Sequence, residues 1–247
     1  MSTLGDISVI FDLDGTLVDS EPNYYEASRE LLSHHGVPGY TWRDNEQYVG
    51  ISTWETLGLW KTRYGIEVPQ TDLLAELNHR YLERARAATP VYPEMRKLVE
   101  LLAGESVPMA VASGSSPEAI EAILTGTGLA AQLTTVVSAD EVAQGKPAPD
   151  VFLEAARRLG AAPADCVVLE DATPGAAAAH AAGMRCIAIP YVVAQADDPA
   201  FATAGLLLRG GHAEFTARAA YDWLASSATA ADRDANSQGS RTARRPY

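Results

Sequence analysis

The chain has 247 residues, of which 47% are hydrophobic and 21% are charged, and its formal net charge is −13. This composition is typical of a folded globular protein, and the length suffices for one large domain or two unequal ones. The negative charge argues against nucleic-acid or anionic-membrane partners, and an anionic substrate would need a metal ion or local positive charge to be held. The first residues lack the basic region of a signal peptide, and Cys166 and Cys186 fit buried free thiols, so we expect a cytoplasmic protein.

Two carboxylates follow the first predicted strand. Residues 7–11 form a short apolar run that predicts a buried strand, and Asp12 and Asp14 come directly after it. Residues i and i+2 of an extended chain point the same way, so both carboxylates can face one point beyond the strand. Two such anions repel each other unless a cation lies between them or one of them keeps its proton. Taken alone, the pattern is equally consistent with an acidic turn.

The segment 21–88 differs in character from the rest of the chain. It is rich in helix formers, carries apolar residues at helical spacing and contains no run typical of a strand. We therefore predict a small α-helical domain over 21–88, inserted into a core domain made of residues 1–20 and 89–225. Residues 226–247 have no apolar periodicity and are predicted to be a disordered tail.

Beyond residue 93 short apolar runs alternate with helical patterns. This alternation predicts an α/β fold with a doubly wound, mostly parallel sheet, in which ligands bind beyond the carboxyl ends of the strands. A last helix is predicted over 213–224. The further predicted strands are 108–112, 134–137, 166–169, 185–189 and an edge strand over 205–208.

Polar residues follow these strands as well. The run Ser113–Ser116 precedes a proline and predicts a helix start whose free N–H groups suit a phosphate, although Ser116 alone would also serve as a plain N-cap. Lys146 lies between a glycine and a proline, a rigid setting that can aim its ammonium inward; a solvated lysine is the alternative. Glu170 and Asp171 follow a further strand, so together with Asp12 and Asp14 four carboxylates are expected at the carboxyl edge of the sheet. Such a set suits Mg²⁺ better than zinc and, with a lysine and a helix N-terminus, predicts a phosphoryl site with a carboxylate nucleophile.

The motifs D-L-D-G-T at 12–16, A-S-G-S-S around Ser113, G-K-P-A-P-D around Lys146 and V-L-E-D-A-T-P-G around Glu170 occur in this order. Together they resemble the haloacid dehalogenase (HAD) superfamily, over the chain up to about residue 225. The resemblance implies a Rossmann-like core. The helical insert is similar to the α-helical cap of the subgroup that holds phosphoglycolate phosphatase, sugar-phosphate phosphatases and β-phosphoglucomutase.

The resemblance also implies a role for individual residues. Asp12 would be the nucleophile that forms an aspartyl-phosphate, and Asp14 the general acid and then the base. Mg²⁺ would be held by Asp12, the backbone carbonyl of Asp14 and Asp171, with Glu170 direct or through water. The phosphoryl oxygens would be held by Thr16, Ser113, Gly114 and Lys146.

Three features separate the activities known in this superfamily. An acid at Asp14 favours phosphorus chemistry over carbon–halogen cleavage, and the first helix of the insert lacks the lysine that phosphonoacetaldehyde hydrolase requires. Tyr24 stands where β-phosphoglucomutase-like proteins have a histidine, and the loop 48–53 has no Lys or Arg. Simple hydrolysis is therefore favoured; a β-phosphoglucomutase-like phosphotransferase and a non-catalytic HAD-fold binding protein remain alternatives.

The insert would select the substrate. A loop without basic residues argues against a second phosphate, so we expect a small sugar or polyol monophosphate as the partner, bound by a monomer or a homodimer. His34 and His35 are expected to interact with the end of their helix rather than with a metal. Val49 and Trp54 could equally be core residues. The candidate contacts are Glu21, Asn23, Tyr24, Val49, Gly50, Thr53 and Trp54.

Overall fold

The structure, a computed structural model, describes residues 4–49 and 51–227. Within this part of the chain, six parallel strands form one sheet in the order β3-β2-β1-β4-β5-β6. The predicted α/β class with a parallel sheet is confirmed, including the edge position of the last strand. The strands are β1 Ser8–Phe11, β2 Met109–Ser113, β3 Thr135–Ser138, β4 Cys166–Glu170, β5 Arg185–Ala188 and β6 Leu206–Leu207.

Helices connect the strands and fill the segment between β1 and β2. The first eight are α1 Glu21–His34, α2 Trp42–Glu46, α3 Thr53–Tyr64, α4 Gln70–Ala87, α5 Pro93–Gly104, α6 Pro117–Thr127, α7 Asp150–Leu159 and α8 Thr173–Ala181. The last, α9, covers residues 217–227. None of the helices described combines the length and the apolar character that crossing a membrane requires.

Two predicted boundaries at the C-terminal end are wrong. The last helix begins at residue 217 rather than 213, because residues 211–213 form a separate 3₁₀ turn and the Thr216 hydroxyl accepts a hydrogen bond from the Ala219 N–H, 3.3 Å away, as a helix N-cap does. Residues 226 and 227 belong to this helix and not to a disordered tail. The rest of the predicted tail, 228–247, lies outside the described residues.

The sheet is covered on both faces, and its central strand shows why. Val9 and Phe11 are fully buried in one hydrophobic core with Leu98 of α5, whereas Ile10, pointing the other way, is buried in a second core with Phe152 of α7. Each such side chain contributes about 1.5–3 kcal/mol when it leaves water. Strands that are apolar on both sides are those of a sandwiched parallel sheet, and this architecture leaves the carboxyl edge of the sheet for the site.

The segment 21–88 contains the helices α1–α4, and no strand occurs in its described residues. Helix α3 ends where Gly65 adopts a left-handed conformation with φ of 68°, which glycine tolerates without strain. The two chain connections to the sheet lie side by side, since the Asp19 N–H donates to the Pro90 carbonyl and the Tyr92 N–H to the Leu17 carbonyl. That this segment is a separate domain stays a prediction.

Candidate active site

The strand order brings the polar strand ends together. β1 pairs with β2 on one side and with β4 on the other. Asp12 follows β1, Ser113 ends β2 and Glu170 ends β4, so the three residues meet at one edge of the sheet. A cavity of about 440 Å³ opens there, between this edge and the helical segment 21–88. The sequence-based prediction of this location rests on the same rule for parallel sheets.

Three buried carboxylates lie on the floor of the cavity. Oxygen atoms of Asp12, Glu170 and Asp171 lie within 4.8 Å of one another. The Lys146 ammonium donates to Asp12 Oδ1 at 2.5 Å and to Glu170 Oε1 at 2.6 Å. The Ala172 N–H donates to Glu170 Oε2 at 2.8 Å. One ammonium therefore faces three carboxylates, which leaves an excess of negative charge in a site shielded from water.

Burial and this excess of charge shift the pKa values of the carboxyl groups. Burial raises the pKa of Asp12 to about 7; the Lys146 charge opposes the shift, and the charges of Glu170 and Asp14 add to it. Burial, followed by the charges of Glu170 and Asp12, raises the pKa of Asp171 well above its usual range. A divalent cation bound among these oxygens would favour the ionised carboxylates and so oppose both shifts, and oxygen ligands of this kind suit Mg²⁺.

Thr16 and Gly15 position Asp171. The Thr16 hydroxyl is fully buried and donates to Asp171 Oδ1 at 3.2 Å. Gly15 has φ of 81°, and a Cβ atom there would overlap the Asp171 carboxylate, so this turn requires glycine. Thr16 thus contacts a carboxylate and does not line the cavity, which differs from the predicted direct contact with phosphoryl oxygens.

Three hydroxyl groups surround Asp14. Oδ2 accepts hydrogen bonds from Ser113 Oγ at 3.1 Å and from Ser115 Oγ at 2.7 Å, and Oδ1 accepts one from the Tyr81 hydroxyl at 3.0 Å. A hydroxyl can accept as well as donate, so these partners can accommodate both the ionised and the protonated carboxyl group. Ser113 is fully buried and its hydroxyl binds Asp14, whereas the neighbouring Gly114 lines the cavity.

Tyr81 comes from α4 and stacks on Tyr24 of α1. Their ring centroids are 3.9 Å apart with an interplanar angle of 17°, and the Tyr24 hydroxyl lies 3.3 Å from Ser115 Oγ. Burial, and then the nearby Asp14 charge, raises the pKa of both phenols, so both stay protonated. The helical segment therefore contributes hydroxyl groups to the surroundings of Asp14.

The structure brings most of the predicted residues of the helical segment to the cavity, but not all. Asn23 points elsewhere: its amide donates to the Ala88 carbonyl at 3.0 Å and to Thr89 Oγ1 at 3.1 Å. Trp54 is 50% exposed, so its interpretation as a core residue is wrong. Gly50 lies outside the described residues. The predicted residues that line the cavity are Glu21, Tyr24, Val49, Thr53 and Trp54.

Many of the residues that line the cavity were not predicted from the sequence. Ser28 could have been found, because it lies one helical turn after Tyr24, and Ser115 belongs to the serine run already identified. Lys146 is the only Lys, Arg or His among the described residues that line the cavity. The missed residues include Ser28, Asn45, Tyr48, Ile51, Ser52, Thr56, Trp60, Leu74, Leu77, Asn78, Ser115, Ser116 and Asp140.

The fold and the site together are those of an α/β enzyme. Buried carboxylates and one lysine lie at the carboxyl edge of its parallel sheet, and the lysine could bind a phosphate group. Comparison with known families is more specific: residues 9–189 match the family described as haloacid dehalogenase-like hydrolase. The chain belongs to this family, as its motifs indicated, and it is a HAD-type phosphoric monoester hydrolase.

Individual curated proteins and solved structures are also similar to this chain. Fructose-1-phosphate phosphatase YqaB of Escherichia coli K12 is 38% identical over 182 residues, which cover 72% of this chain and 94% of the relative. Hexitol phosphatase B of Escherichia coli O157:H7 is 30% identical over 203 residues, covering 82% and 91%. CbbY from Rhodobacter sphaeroides, crystallised with phosphate, has a TM-score of 0.73 and 26% identity, covering 87% of this chain and 96% of the other.

Proposed function

We propose that the protein is a Mg²⁺-dependent phosphatase of a small sugar or polyol monophosphate and that the reaction passes through an aspartyl-phosphate on Asp12. The observation that carries the proposal is the setting of Asp12. Its carboxylate lies on the cavity floor, contacts the Lys146 ammonium and belongs to a cluster of three buried carboxylates, with a second acid two residues further on.

Asp12, Glu170 and Asp171 would hold the Mg²⁺ ion, together with the Asp14 carbonyl. The fit rests on the donor set: the ligands are carboxylate oxygens, they are buried, and a single ammonium leaves their charge uncompensated. The ion would neutralise charge on the nucleophile and on the transferring phosphoryl group.

The chain's own residues would carry the two chemical steps. An Asp12 carboxylate oxygen attacks phosphorus while the ester P–O bond breaks, and Asp14 gives its proton to the leaving alcohol oxygen. A water molecule then transfers a proton to Asp14 as its oxygen attacks the phosphorus of the acyl phosphate, which releases Asp12 and inorganic phosphate. The three hydroxyl partners of Asp14 suit both protonation states that these steps require.

Lys146 and the start of α6 would bind the phosphoryl group. Lys146 already contacts the proposed nucleophile, so its ammonium lies where negative charge develops. Gly114, Ser115 and Ser116 line the cavity just before α6 begins at Pro117, and N–H groups at a helix N-terminus favour an anion.

The composition of the wall supports the substrate class. Apart from Lys146, the described lining residues offer no basic side chain for a second phosphate. Asn45, Asn78 and Thr56 instead offer amide and hydroxyl groups for an uncharged polyol. Two relatives are named for fructose 1-phosphate and for hexitol phosphates.

We further propose that residues 21–88 act as a cap domain that opens and closes over the cavity, with joints near 17–21 and 89–93. The two buried free cysteines support the expectation of a cytoplasmic enzyme.

The test is phosphate release from fructose 1-phosphate, hexitol phosphates, phosphoglycolate and a sugar bisphosphate, each with Mg²⁺ and with EDTA. We expect metal-dependent release, fastest from a sugar or polyol monophosphate and slower from the bisphosphate. Conversion of one sugar phosphate into an isomer without free phosphate would assign a phosphotransferase instead, and binding without any turnover would assign a binding protein.

Tyr81→Phe tests the hydroxyl partners of Asp14. The change removes one hydrogen bond to Asp14 and keeps the ring that stacks on Tyr24, so we expect kcat to fall about tenfold with little change in KM. Steady-state phosphate release measures both constants. The control is Tyr25→Phe, which removes a hydroxyl bonded to the Tyr40 carbonyl at 3.4 Å and should leave both constants unchanged. Wild-type kinetics in Tyr81→Phe would show that this hydroxyl does not assist Asp14.

Glu21→Gln tests the cost of the partly buried charge at the start of α1. Burial, then the charges of Asp14 and Asp19, raises the pKa of Glu21 from 4.5 to about 7. A raised carboxyl pKa in the folded state means that wild-type stability falls as the pH rises from about 4.5 to about 7. We expect the variant to be more stable by about 1–3 kcal/mol at about pH 8 and nearly equal at about pH 4.5.

Urea unfolding at the two pH values measures this difference. Glu83→Gln, which alters a carboxylate that is 67% exposed, is the control and should change stability little at either pH. A Glu21→Gln variant that is no more stable than wild type at the higher pH would show that the Glu21 charge is well solvated.

A further inference from the structure

A second cluster of metal-ligating side chains lies away from the active site, where α1 meets α4. His34 Nδ1 lies 2.7 Å from Glu76 Oε1, and His35 Nε2 lies 2.9 Å from Glu76 Oε2. The three ligand atoms lie within 4.8 Å of one another. Two imidazoles from one helix end thus converge on a single carboxylate of another helix.

The end of α1 makes this convergence possible. Consecutive residues inside a helix point about 100° apart and cannot share one ligand easily. α1 ends at His34, however, and His35 has left the helical conformation with φ of −93° and ψ of 25°. The two rings therefore approach to 4.9 Å between centroids. The end of the helix is closed by the backbone N–H of His35, which donates to the Leu31 carbonyl, so the imidazoles are not needed as caps.

We propose that His34, His35 and Glu76 form a binding site for a transition-metal dication of the zinc class. Two imidazoles and one carboxylate are a common ligand set for Zn²⁺, and a water molecule completes the tetrahedron. At tetrahedral angles, metal–ligand bonds of about 2.0–2.2 Å place neighbouring ligand atoms about 3.3–3.6 Å apart. The two observed nitrogen–oxygen distances, 2.7 Å and 2.9 Å, are shorter because they are direct hydrogen bonds, so side-chain rotations that widen them would open the space for the ion.

The surroundings of Glu76 suit this role. Arg80 donates to Glu76 Oε1 through Nη2 at 2.7 Å and through Nε at 3.1 Å, and it also lies 3.5 Å from Glu30. Hydrogen bonds to a ligating carboxylate commonly fix its orientation, and Glu30 contacts Arg80 while also pairing with Arg84. Each coordinating imidazole nitrogen must be free of its proton, which a neutral ring can carry on its other nitrogen.

The ligand types separate this site from the active site. The cluster at Asp12 offers only carboxylates and suits Mg²⁺, whereas imidazole ligands favour Zn²⁺, Ni²⁺ or Cu²⁺ over Mg²⁺. Binding would tie the end of α1 to α4, the two helices that carry Tyr24 and Tyr81. A ligand that binds only the folded chain raises its stability, so the site predicts a protein stabilised by Zn²⁺.

The experiment is a calorimetric titration of the whole protein with Zn²⁺ in excess Mg²⁺, which keeps the active-site carboxylates occupied. It compares wild type with the double variant His34→Gln, His35→Gln and with the single variant His34→Gln, whose side chain is 63% exposed. His79→Gln is the matched control, because His79 lies on α4, is 75% exposed and pairs with Glu83 at 3.6 Å, with no second imidazole.

We expect wild type and His79→Gln to bind one more equivalent of Zn²⁺ than the double variant, and His34→Gln to bind it about tenfold more weakly or worse. Zn²⁺ should raise the thermal unfolding midpoint of the first two proteins and not of the double variant. In nitrogen NMR spectra of the five histidines, Zn²⁺ should shift the rings of His34 and His35. Equal Zn²⁺ stoichiometry and affinity in wild type and the double variant, with both proteins folded, would overturn the proposal.

Discussion

Asp12→Asn is expected to lower the rate of phosphate release by about 10⁴-fold or more. The amide oxygen of asparagine is a poor nucleophile, so the first step of the proposed reaction is lost rather than slowed by a weaker contact. The change removes only one of the three buried carboxylates and keeps the shape of the side chain, so the fold should persist. Initial rates with saturating fructose 1-phosphate and Mg²⁺, together with thermal unfolding, measure both effects.

Asp140→Asn is the matched control for this variant. Asp140 lines the same cavity but is exposed and does not belong to the carboxylate cluster. Its replacement should therefore change the rate by less than about threefold, within the range of ordinary surface changes. If Asp12→Asn kept a tenth of wild-type activity, a nucleophilic role of Asp12 would be refuted and direct attack by water would be the better mechanism.

The location of the site was predictable because it depends on strand ends. Asp12 and Glu170 are each adjacent to a short apolar run, and a parallel sheet brings the carboxyl ends of its strands to one edge. The order of the strands need not be known for this inference. Lys146 was placed on weaker grounds, its flanking glycine and proline, and the structure puts its ammonium between the same two carboxylates.

The helical side of the cavity was harder to predict, because adjacent residues of one helix face different directions. Asn23 and Tyr24 were both candidates, yet they point about 100° apart, and only Tyr24 faces the cavity. Tyr81 is 67 residues from Asp14 in sequence. Its contact with Asp14 depends on how α4 packs against α1 and the strand ends, which local patterns do not encode.

Trp54 also shows that a local pattern does not determine what a side chain contacts. A tryptophan at helical spacing is usually buried, and the sequence allowed that reading. It lies at the start of α3, however, where Ser52 caps the helix by accepting a hydrogen bond from the Glu55 N–H, and the residue is 50% exposed and lines the cavity. The helical pattern was correct, because Trp54 does lie in α3. Its exposure depends on where the start of this helix lies in the folded protein.

Gly175→Ala, which replaces one hydrogen atom by a methyl group, should damage both the stability of the protein and its proposed metal site. Gly175 lies in the first turn of α8, and a Cβ atom there would overlap the Glu170 carboxylate. That carboxylate cannot move without breaking its bonds to the Lys146 ammonium and the Ala172 N–H. We expect a loss of about 1–3 kcal/mol in the free energy of unfolding, and Mg²⁺ affinity and kcat each about 10–100-fold lower.

Gly126→Ala separates this steric effect from the general effect of replacing a helical glycine. Gly126 lies in α6 with nothing within 4 Å of the added methyl group, so alanine there should stabilise the protein by about 0.5–1 kcal/mol and leave kcat unchanged. Urea unfolding and Mg²⁺-dependent phosphate release on both variants give the comparison. Wild-type Mg²⁺ dependence in Gly175→Ala would mean that the Glu170 carboxylate can leave its observed position at no cost, and it would remove Glu170 from the proposed metal site while leaving Asp12 and Asp171.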